Sequence, residues 1–252
     1  MADAVVLAAG RLPASWAARE GTDIKALLQV GGRTLLARVL GALRACPQVG
    51  RVAVAGPDEL LAHSDAAAAD LRVPQAGSGP DNLWASIQAL KPEGPVLCCA
   101  SDLVHLSGPA VSEFLSKVPE GAEIAYAFSL AEAYARRYPG LKHMRVRLHG
   151  GVYTGGSVQL IDAEAVRRNM LLLNRVFAAR KSKLAMAGVL GPVFLLRFAL
   201  GRLSIEKIEA RARRLTGCAA RGVLCDDPGL AFDIDEPEHL QWAREMEARG
   251  EG

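Results

Sequence analysis

Three aspartates in two distant parts of the chain could bind a divalent cation. Asp102 follows the apolar run 95–100, which has the composition of a buried strand. Asp233 and Asp235 lie two residues apart on a strand-like run, so both side chains are expected on one face. Neighbouring carboxylates repel each other unless a cation or hydrogen-bond donors lie between them. We therefore predict that these three aspartates form a Mg²⁺ site, the alternatives being that Asp102 caps a turn and Asp235 caps a helix.

A turn bounded by glycine near the start of the chain could bind phosphate. The apolar run 4–9 ends at Gly10 and Arg11, and Lys25 follows fifteen residues after the glycine. Small residues allow backbone N–H groups to approach an anion closely, and the two cationic side chains can neutralise a triphosphate. A purely structural turn with a solvated Lys25 is the alternative. The residues predicted here to bind nucleotide are Leu7, Ala8, Ala9, Gly10, Arg11 and Lys25.

Glycine-rich and basic segments in the second half of the chain could bind a second substrate. The stretch GGVYTGGS at 150–157 allows close approach of the backbone to a ligand, although a hairpin turn explains it equally well. The region 175–214 has ten Lys or Arg residues against two Glu. Within it, Arg180, Lys181 and Lys183 could hold an acceptor phosphate, or they could form a solvated basic face.

Strands and helices alternate along the first half of the chain and would position these residues. We predict strands at 4–9, 51–55, 95–100 and 122–128, helices at 34–45, 81–90 and 108–117, and a loop at 11–24. This alternation predicts a three-layer α/β/α fold with a mostly parallel sheet, whose ligands bind at the carboxyl ends of the strands. Farther along, we predict an edge strand at 143–149, a turn-rich approach to a short strand at 150–162, helix from 163 to about 216, a strand at 230–235 and a final helix from Pro237. We expect one domain over 1–252 with a mainly helical insertion at about 163–222.

The composition argues against several classes of protein. The 252 residues carry a net charge of +3, which is too small to favour a nucleic-acid-binding protein. The five cysteines form no Cys-x-x-Cys pair, so neither a zinc site nor a disulfide framework is expected. The chain starts with an apolar run rather than a basic leader, which predicts a cytoplasmic protein. The histidines lack metal-ligand spacing, and we expect His105 in a surface loop.

The segment 184–203 is apolar and approaches the length of a membrane-spanning helix. Arg197 interrupts it and would cost about 2.5–3.5 kcal/mol inside a membrane. Pro192 and several glycines also break the pattern of a single helix. We therefore predict no stable membrane span, and expect either buried helices or an apolar face that forms a homodimer.

Together, these motifs resemble the MobA-like nucleotidyltransferases, a group that includes molybdopterin and cobinamide guanylyltransferases and sugar-phosphate nucleotidyltransferases. Members share an opening L-A-A-G-x-G loop, then a lysine, then an apolar segment before a helix; this chain has LAAGR, Lys25 and VGGRTLL. Leu12 and Pro13 stand where the second glycine would be, and the loop before the lysine is longer than usual. The resemblance implies a Rossmann-like nucleotidyltransferase fold in which the loop holds the NTP phosphates. It also implies that Lys25, Arg11 and Asp102 are the catalytic residues.

The resemblance assigns roles to further segments. Asp102 matches the metal-binding aspartate of a D-x-P-type segment, and FDIDEPEHL is similar to a D-I-D-T-P-E-D-L segment near the end of many members. GSGPDNLWASIQAL at 77–90 matches a turn and helix that line the nucleotide base, while a helix cap at Asp81 or Asn82 is an equal explanation. A T-G-G-N-like segment faces the acceptor in the family. The implied nucleotide-binding residues are Gly77, Ser78, Asn82 and Ser86, and the expected acceptor-binding residues are Thr154, Gly156, Ser157, Arg180 and Lys181.

The predicted activity is Mg²⁺-dependent transfer of a nucleoside monophosphate from an NTP, with CTP or GTP expected, to a phosphorylated small molecule. A nucleotide-sugar-dependent glycosyltransferase is one alternative, although Val104 takes the place of the second aspartate in a D-x-D motif. A non-catalytic nucleotide-binding module is another. A nicotinamide-dependent oxidoreductase is disfavoured, because Gly10 is not part of a G-x-G-x-x-G motif.

Overall fold

The computed structural model describes residues 1–180 and 182–250. The strands are β1 (Ala2–Leu7), β2 (Gln29–Val30), β3 (Arg33–Thr34), β4 (Val49–Gly56), β5 (Leu71–Pro74), β6 (Val96–Ala100), β7 (Ile124–Leu130), β8 (Val146–Leu148), β9 (Gly151–Ile161) and β10 (Ala220–Leu224). The α-helices are α1 (Ala14–Glu20), α2 (Leu35–Arg44), α3 (Asp58–Leu61), α4 (Gly79–Leu90), α5 (Gly108–Lys117), α6 (Ala131–Arg137), α7 (Ala163–Ala179), α8 (Lys183–Leu190), α9 (Pro192–Ala199), α10 (Ile205–Thr216) and α11 (Pro237–Ala248). Short 3-10 turns lie at Lys25–Leu27, Ser64–Ala68 and Pro228–Ala231.

Eight strands of the described chain form one sheet. Its order is β10-β7-β9-β6-β1-β4-β5, and β8 pairs with β9. The strands β6, β1, β4 and β5 are parallel neighbours, whereas β9 runs antiparallel between β6 and β7. The carboxyl ends of the four parallel strands therefore meet at one edge. This mostly parallel sheet with helices confirms the predicted α/β fold class.

Apolar clusters cover both faces of the sheet. Along β1, Ala4 and Val6 pack into one cluster with α2 and α5, while Val5 packs into another with α4 and α7. Successive side chains of a strand point to opposite faces, so a strand covered on both faces must be apolar at every position. This requirement explains the continuous apolar run from which the first strand is predicted.

Capping hydroxyls begin two helices that follow the strand ends. Thr34 caps α2 and accepts a hydrogen bond from the Ala37 N–H at 3.0 Å. Ser78, rather than Asp81 or Asn82, caps α4, and Asp81 accepts from the Ser78 N–H at 3.0 Å to complete a capping box. The cap lies earlier than predicted because Pro80, which lacks an N–H, fits the first helical turn.

Three predicted elements differ from the structure. Residues 14–20 form α1 rather than loop, because Trp16 is buried against neighbouring apolar residues. The predicted short strand is β9, an eleven-residue strand in the middle of the sheet. Residues 230–235 are not a strand, since a 3-10 turn leads into an isolated bridge between Leu103 and Asp233. In each case, tertiary contacts decide a conformation that local composition leaves open.

The apolar segment 184–203 folds into α8 and α9 at the surface. Leu184 is 88 % exposed and Leu196 is 60 % exposed, so the prediction of buried helices is wrong. Among the described residues, none of the helices combines the length and the apolar character that crossing a membrane requires. The homodimer face remains a prediction for this surface.

Candidate active site

Consecutive backbone N–H groups are available where β1 ends. The Ala8 N–H donates to the carbonyl oxygen of Ala55 at 2.8 Å. The next three N–H groups, of Ala9, Gly10 and Arg11, make no hydrogen bond to any residue that the structure describes. Backbone N–H groups need an acceptor, and successive N–H groups of this kind bind anions. This segment therefore suits phosphate oxygens.

Backbone pairing across the following loop places Lys25 beside this segment. The Lys25 N–H donates to the Gly10 carbonyl at 3.0 Å, and the Leu12 N–H donates to the Asp23 carbonyl at 2.7 Å. The additional residues of the long loop form α1, with Trp16 buried beneath it. The loop therefore closes on itself, and the lysine lies next to Gly10 despite its distance along the chain.

Arg11 lies at the same turn, but its charge is already shared. Its guanidinium lies 2.8 Å from Asp23 and 3.6 Å from Glu59, and its side chain is 41 % exposed. An exposed ion pair of this kind contributes little free energy, so a phosphate can compete for the arginine. We therefore expect Arg11 to contribute less than Lys25 to binding a triphosphate.

The backbone joins Asp102 to the FDID segment. The Ile234 N–H donates to the Asp102 carbonyl at 3.1 Å, next to the bridge between Leu103 and Asp233. Asp102 itself is only 8 % exposed. These contacts bring Asp102 and Asp233, which are far apart in the sequence, together at the carboxyl end of β6.

Lys25 connects these carboxylates with the β1 turn. Its ammonium group contacts the Asp102 carboxylate directly and lies 2.7 Å from Asp235. Burial opposes the charged ammonium, yet the two carboxylates hold the pKa of Lys25 above its ordinary value. Lys25 is therefore a positive charge fixed between the phosphate-binding segment and the aspartates.

The Asp233 carboxylate is incompletely compensated. Ser157 Oγ donates to its Oδ2 at 2.8 Å, whereas Oδ1 is buried with no hydrogen-bond partner among the described residues. Burial, and then the charge of Asp102, raises the pKa of Asp233 above its ordinary value, while the bond from Ser157 opposes the rise. A proton or a cation at this position would compensate a buried carboxylate oxygen that lacks a donor.

Asp235 is more exposed than Asp233. Its N–H donates to the Asp233 carbonyl at 3.0 Å, so the chain turns tightly at Ile234, and the Asp235 side chain is 66 % exposed beside Lys25. The segment is therefore a turn rather than the extended strand that the sequence predicts, and the charges of Asp235 and Lys25 both act on Asp233. His239 Nδ1 lies 3.2 Å from the Asp235 nitrogen and 3.1 Å from the Asp233 carbonyl, which helps to fix the turn.

The remaining pair of aspartates fits a hard divalent cation. Within residues 1–180 and 182–250, no group of three or more His, Cys, Asp or Glu side chains is arranged to hold a metal ion. Mg²⁺, however, is commonly bound through one or two carboxylates plus substrate phosphates and water. Asp102 and Asp233 meet that requirement, because Lys25 offsets only part of their charge and Asp233 Oδ1 is unpartnered.

The turn that precedes α4 is held by buried side chains. Asn82 Oδ1 accepts from the Ala76 N–H at 2.7 Å, and Ser86 Oγ donates to the Asn82 carbonyl at 2.8 Å. Asn82 is 1 % exposed and Ser86 is fully buried. Both side chains therefore hold the turn, and the base contacts predicted for them stay predictions. Gly77 and Ser78 are the members of this predicted set that reach the surface.

The predicted acceptor residues of β9 have different roles. Ser157 contacts Asp233, as described above. Thr154 is 3 % exposed, and a Cβ atom on Gly156 would lie 3.0 Å from the Leu230 carbonyl oxygen. Thr154 and Gly156 thus pack inside the molecule, and only Ser157 of this predicted set reaches the aspartates.

Arg180 lies near the turn that precedes α4, at Gly77 and Ser78, rather than beside β9. Its guanidinium is 3.6 Å from the centre of the Phe177 ring, and that ring packs against Gly79 at the start of α4. Arg180 therefore lies near the start of α4, and its predicted contact with the acceptor stays a prediction. Lys181 lies outside the described residues.

Sequence reasoning missed an aromatic cluster that supports the aspartates. His105, expected in a surface loop, is 8 % exposed and stacks on Tyr138 with 5.4 Å between ring centres. Burial, and then nearby arginines, lowers the pKa of His105 to about 4. Phe232 stacks on Tyr138 at 4.4 Å and so fixes the residue before Asp233. The available signal was the four-residue spacing of Tyr134 and Tyr138, which is typical of one helix face.

The sequence profile of the MobA-like NTP transferase domain matches residues 4–187 of this chain. The chain belongs to the MobA-like NTP transferase family. The matched part of this MobA-like protein contains Gly10, Lys25, Asp102 and Ser157, whereas Asp233 lies beyond it. Membership confirms the resemblance inferred from the sequence and identifies the chain as a member of a nucleotidyltransferase family.

Solved structures extend the similarity over nearly the whole MobA-like chain. A hypothetical transferase from Thermus thermophilus is 37 % identical with a TM-score of 0.83, over 95 % of this chain and 99 % of that one. A CMP:2-keto-3-deoxy-manno-octonic acid synthetase complexed with CTP is 13 % identical with a TM-score of 0.63, over 99 % and 100 % of the chains. The 4-diphosphocytidyl-2C-methyl-D-erythritol synthase of Anaerococcus prevotii is 13 % identical with a TM-score of 0.61, over 99 % of each chain. At such low identity the last two show a shared fold. No protein of curated function is a significant match.

Proposed function

We propose that this MobA-like protein transfers a nucleoside monophosphate from an NTP to a phosphorylated small molecule and releases pyrophosphate. The observation that carries the proposal is the convergence of Asp102, Asp233 and Lys25 at one sheet edge, beside backbone N–H groups that bond to none of the described residues. This edge combines groups for an anion with groups for a divalent cation. CTP and GTP are the expected donors, and the CTP-bound synthetase of the same fold favours CTP.

In the proposed reaction, an acceptor phosphate oxygen attacks the α-phosphorus of the NTP while the bond to the β-phosphate breaks. The N–H groups of Ala9, Gly10 and Arg11 bind phosphate oxygens and hold the triphosphate in line with the acceptor. Lys25, whose pKa is raised, stays protonated and offsets the charge that moves onto pyrophosphate. Mg²⁺ held by Asp102 and Asp233 would supply further positive charge at the phosphates.

Asp235 acts through Lys25 in this arrangement. Its carboxylate lies 2.7 Å from the ammonium group and is mostly exposed. It therefore orients the lysine without joining Asp102 and Asp233. This differs from the metal-binding role that the sequence predicts for Asp235.

The test is pyrophosphate release from ATP, CTP, GTP and UTP with Mg²⁺ and a panel of phosphorylated acceptors. Asp102→Asn should lower turnover about 10³-fold, because it weakens both the cation site and the contact with Lys25. Glu236→Gln is a matched control, since it removes one exposed carboxylate next to Asp235 in the sequence. Normal turnover by Asp102→Asn would overturn the assignment of the site.

The same experiment separates the two alternative functions. A glycosyltransferase would release a nucleoside diphosphate from a nucleotide sugar rather than pyrophosphate from an NTP. A non-catalytic module would be stabilised against heat by an NTP, since the ligand binds the native state, but would release no pyrophosphate with any acceptor.

A further inference from the structure

A cavity lies between α10 and one face of the sheet, away from the phosphate-binding turn. Its volume is about 280 Å³, and its walls are almost entirely apolar. We call it the apolar pocket, and its main walls are Tyr126, Phe128, Tyr153, Ile205, Ile208 and Ala212. A dry apolar cavity of about 150 Å³ is enough to bind benzene. The apolar pocket is therefore large enough for a group of two rings or a medium-length alkyl chain.

The strand β9 connects the apolar pocket with the aspartates. Tyr153, Gly155 and Ser157 lie on the partly exposed face of β9, while the residues between them are buried on the other face. Tyr153 and Gly155 line the pocket, and Ser157 donates to Asp233. Two residues along a strand span about 6 to 7 Å. The pocket wall at Gly155 is therefore about 6 to 7 Å along β9 from Ser157, which contacts the aspartate.

Tyr126 lies at the side of the apolar pocket next to Gly155, toward Ser157 and Asp233. It is 41 % exposed, and a Cβ atom on Gly155 would lie 2.7 Å from its hydroxyl oxygen, so the glycine leaves room for the phenol. Burial, and then the charge of Asp233, raises the pKa of Tyr126 to about 12. The hydroxyl thus remains a hydrogen-bond donor between the apolar pocket and the aspartate.

The helix that covers the pocket has two different faces. Ile205, Ile208 and Ala212 follow the spacing of one helical stripe and face the pocket. Ala210 and Arg211 lie on the other side of α10 and border a separate cleft. Glu209 ties the helix to the sheet by accepting from the Gly222 N–H at 2.8 Å. The apolar surface is therefore confined to the side of α10 that overlooks β7 and β9.

We propose that the apolar pocket binds the apolar part of the acceptor, which is then an amphiphilic phosphate monoester with an alkyl, isoprenoid or aryl group. This inference rests on the proposed function, because it assigns the acceptor of that reaction. The phosphate of such an acceptor reaches the aspartates along Ser157, and its apolar group lies under α10. A hydrophilic sugar phosphate would leave the aromatic walls without a partner.

Binding to the full chain tests the pocket without requiring turnover. The probe is the neutral dye N-phenyl-1-naphthylamine, whose fluorescence rises in apolar surroundings. Ala212→Phe fills the pocket and should weaken dye binding at least tenfold, whereas Ala210→Phe, the same change on the opposite side of α10, should leave it within twofold. If Ala212→Phe does not fold, Ile208→Ser makes the wall polar and should have the same direction of effect. Equal dye affinity in the wild type and the pocket variants would overturn the proposal.

Alkyl phosphates then test the acceptor itself. Decyl phosphate should displace the dye and ethyl phosphate should not, with about a threefold to fourfold gain in affinity for each methylene that fits. In the pyrophosphate assay, decyl phosphate should be the better acceptor, and Ala212→Phe should abolish that preference. Turnover with a hydrophilic phosphate but neither binding nor turnover with decyl phosphate would overturn the inference and leave the proposed function intact. Binding of decyl phosphate without pyrophosphate release from any NTP would instead overturn the proposed function and the acceptor assignment with it.

Discussion

Two regions of the sheet differ in the chemistry that they offer to substrates: the carboxyl ends of β1 and β6, and the part of β7 and β9 that lies under α10. At the carboxyl ends of β1 and β6, the available groups are polar or charged: backbone N–H groups, Lys25 and Asp102. Across β7, β9 and α10, the groups that line the apolar pocket are aromatic or aliphatic, such as Tyr126 and Ile208. Ser157 and Asp233 lie at the boundary. Substitutions at the ends of β1 and β6 should therefore mainly lower kcat, and substitutions around the apolar pocket should mainly raise the KM of the acceptor.

Of the two cationic residues at the phosphate-binding turn, Lys25 should have the larger effect. Lys25→Met should lower kcat by about 10²- to 10³-fold, since it removes a fixed charge where negative charge develops. Arg11→Gln should lower it by about tenfold or less, because that guanidinium is exposed and already paired with Asp23. Both values come from pyrophosphate release at saturating NTP. Equal losses in the two variants would contradict this ranking and mean that Arg11 contributes as much to turnover as Lys25.

A smaller effect is expected at Ser157, on the boundary. Ser157→Ala should lower kcat/KM about tenfold, because Asp233 loses the hydrogen bond that orients its carboxylate and opposes the rise of its pKa. The Mg²⁺ concentration for half-maximal activity should rise as well. Ser157→Thr keeps the hydroxyl and should restore most of both values. A loss that Thr does not restore would point to packing instead of the hydroxyl.

The parallel strands β1 and β6, and the residues that follow them, were predictable from the sequence. A strand buried on both faces must be apolar throughout, so runs such as 4–9 and 95–100 could be recognised, and the residues that follow them were expected at the ligand edge. This reasoning placed Gly10 and Asp102 at that edge, and the structure brings Lys25, which was singled out by its spacing and the family resemblance, beside both.

The conformations of β9, of the segment 233–235 and of the apolar pocket were not predictable, because they depend on contacts between distant segments. The glycines of β9 indicated a turn, yet antiparallel pairing with both β6 and β7 makes this segment a long strand. Asp233 and Asp235 were predicted on an extended strand, but this segment forms an isolated bridge to Leu103 and a tight turn at Ile234. The apolar pocket has no sequence signal of its own, since its walls come from four strands and a helix.

The smallest effect is one of stability, at Asp233. Its pKa in the folded protein is raised above the ordinary value of 3.8, so between these two pKa values the native state binds more protons than the unfolded state. The stability from the protonated carboxyl is complete below the unfolded pKa and is lost as pH rises through the folded pKa. The amide of Asp233→Asn does not ionise, so this variant keeps its stability as the pH rises. In EDTA, its melting temperature should lie a few degrees above that of the wild type near ~pH 9, and the difference should close toward ~pH 4.

Thermal melts across this pH range, followed by circular dichroism in EDTA, measure the gap between Asp233→Asn and the wild type. The same variant should lose nearly all pyrophosphate release, because an amide cannot replace the carboxylate beside Asp102. Asp226→Asn, an exposed carboxyl whose pKa is lowered by Lys117, is the control and should not melt higher than the wild type at alkaline pH. Parallel melting of Asp233→Asn and wild type at every pH would mean that Asp233 is ionised and fully compensated in the folded chain. A gain in stability with loss of activity would instead identify Asp233 as the residue where the charged side of the sheet gives up stability for function.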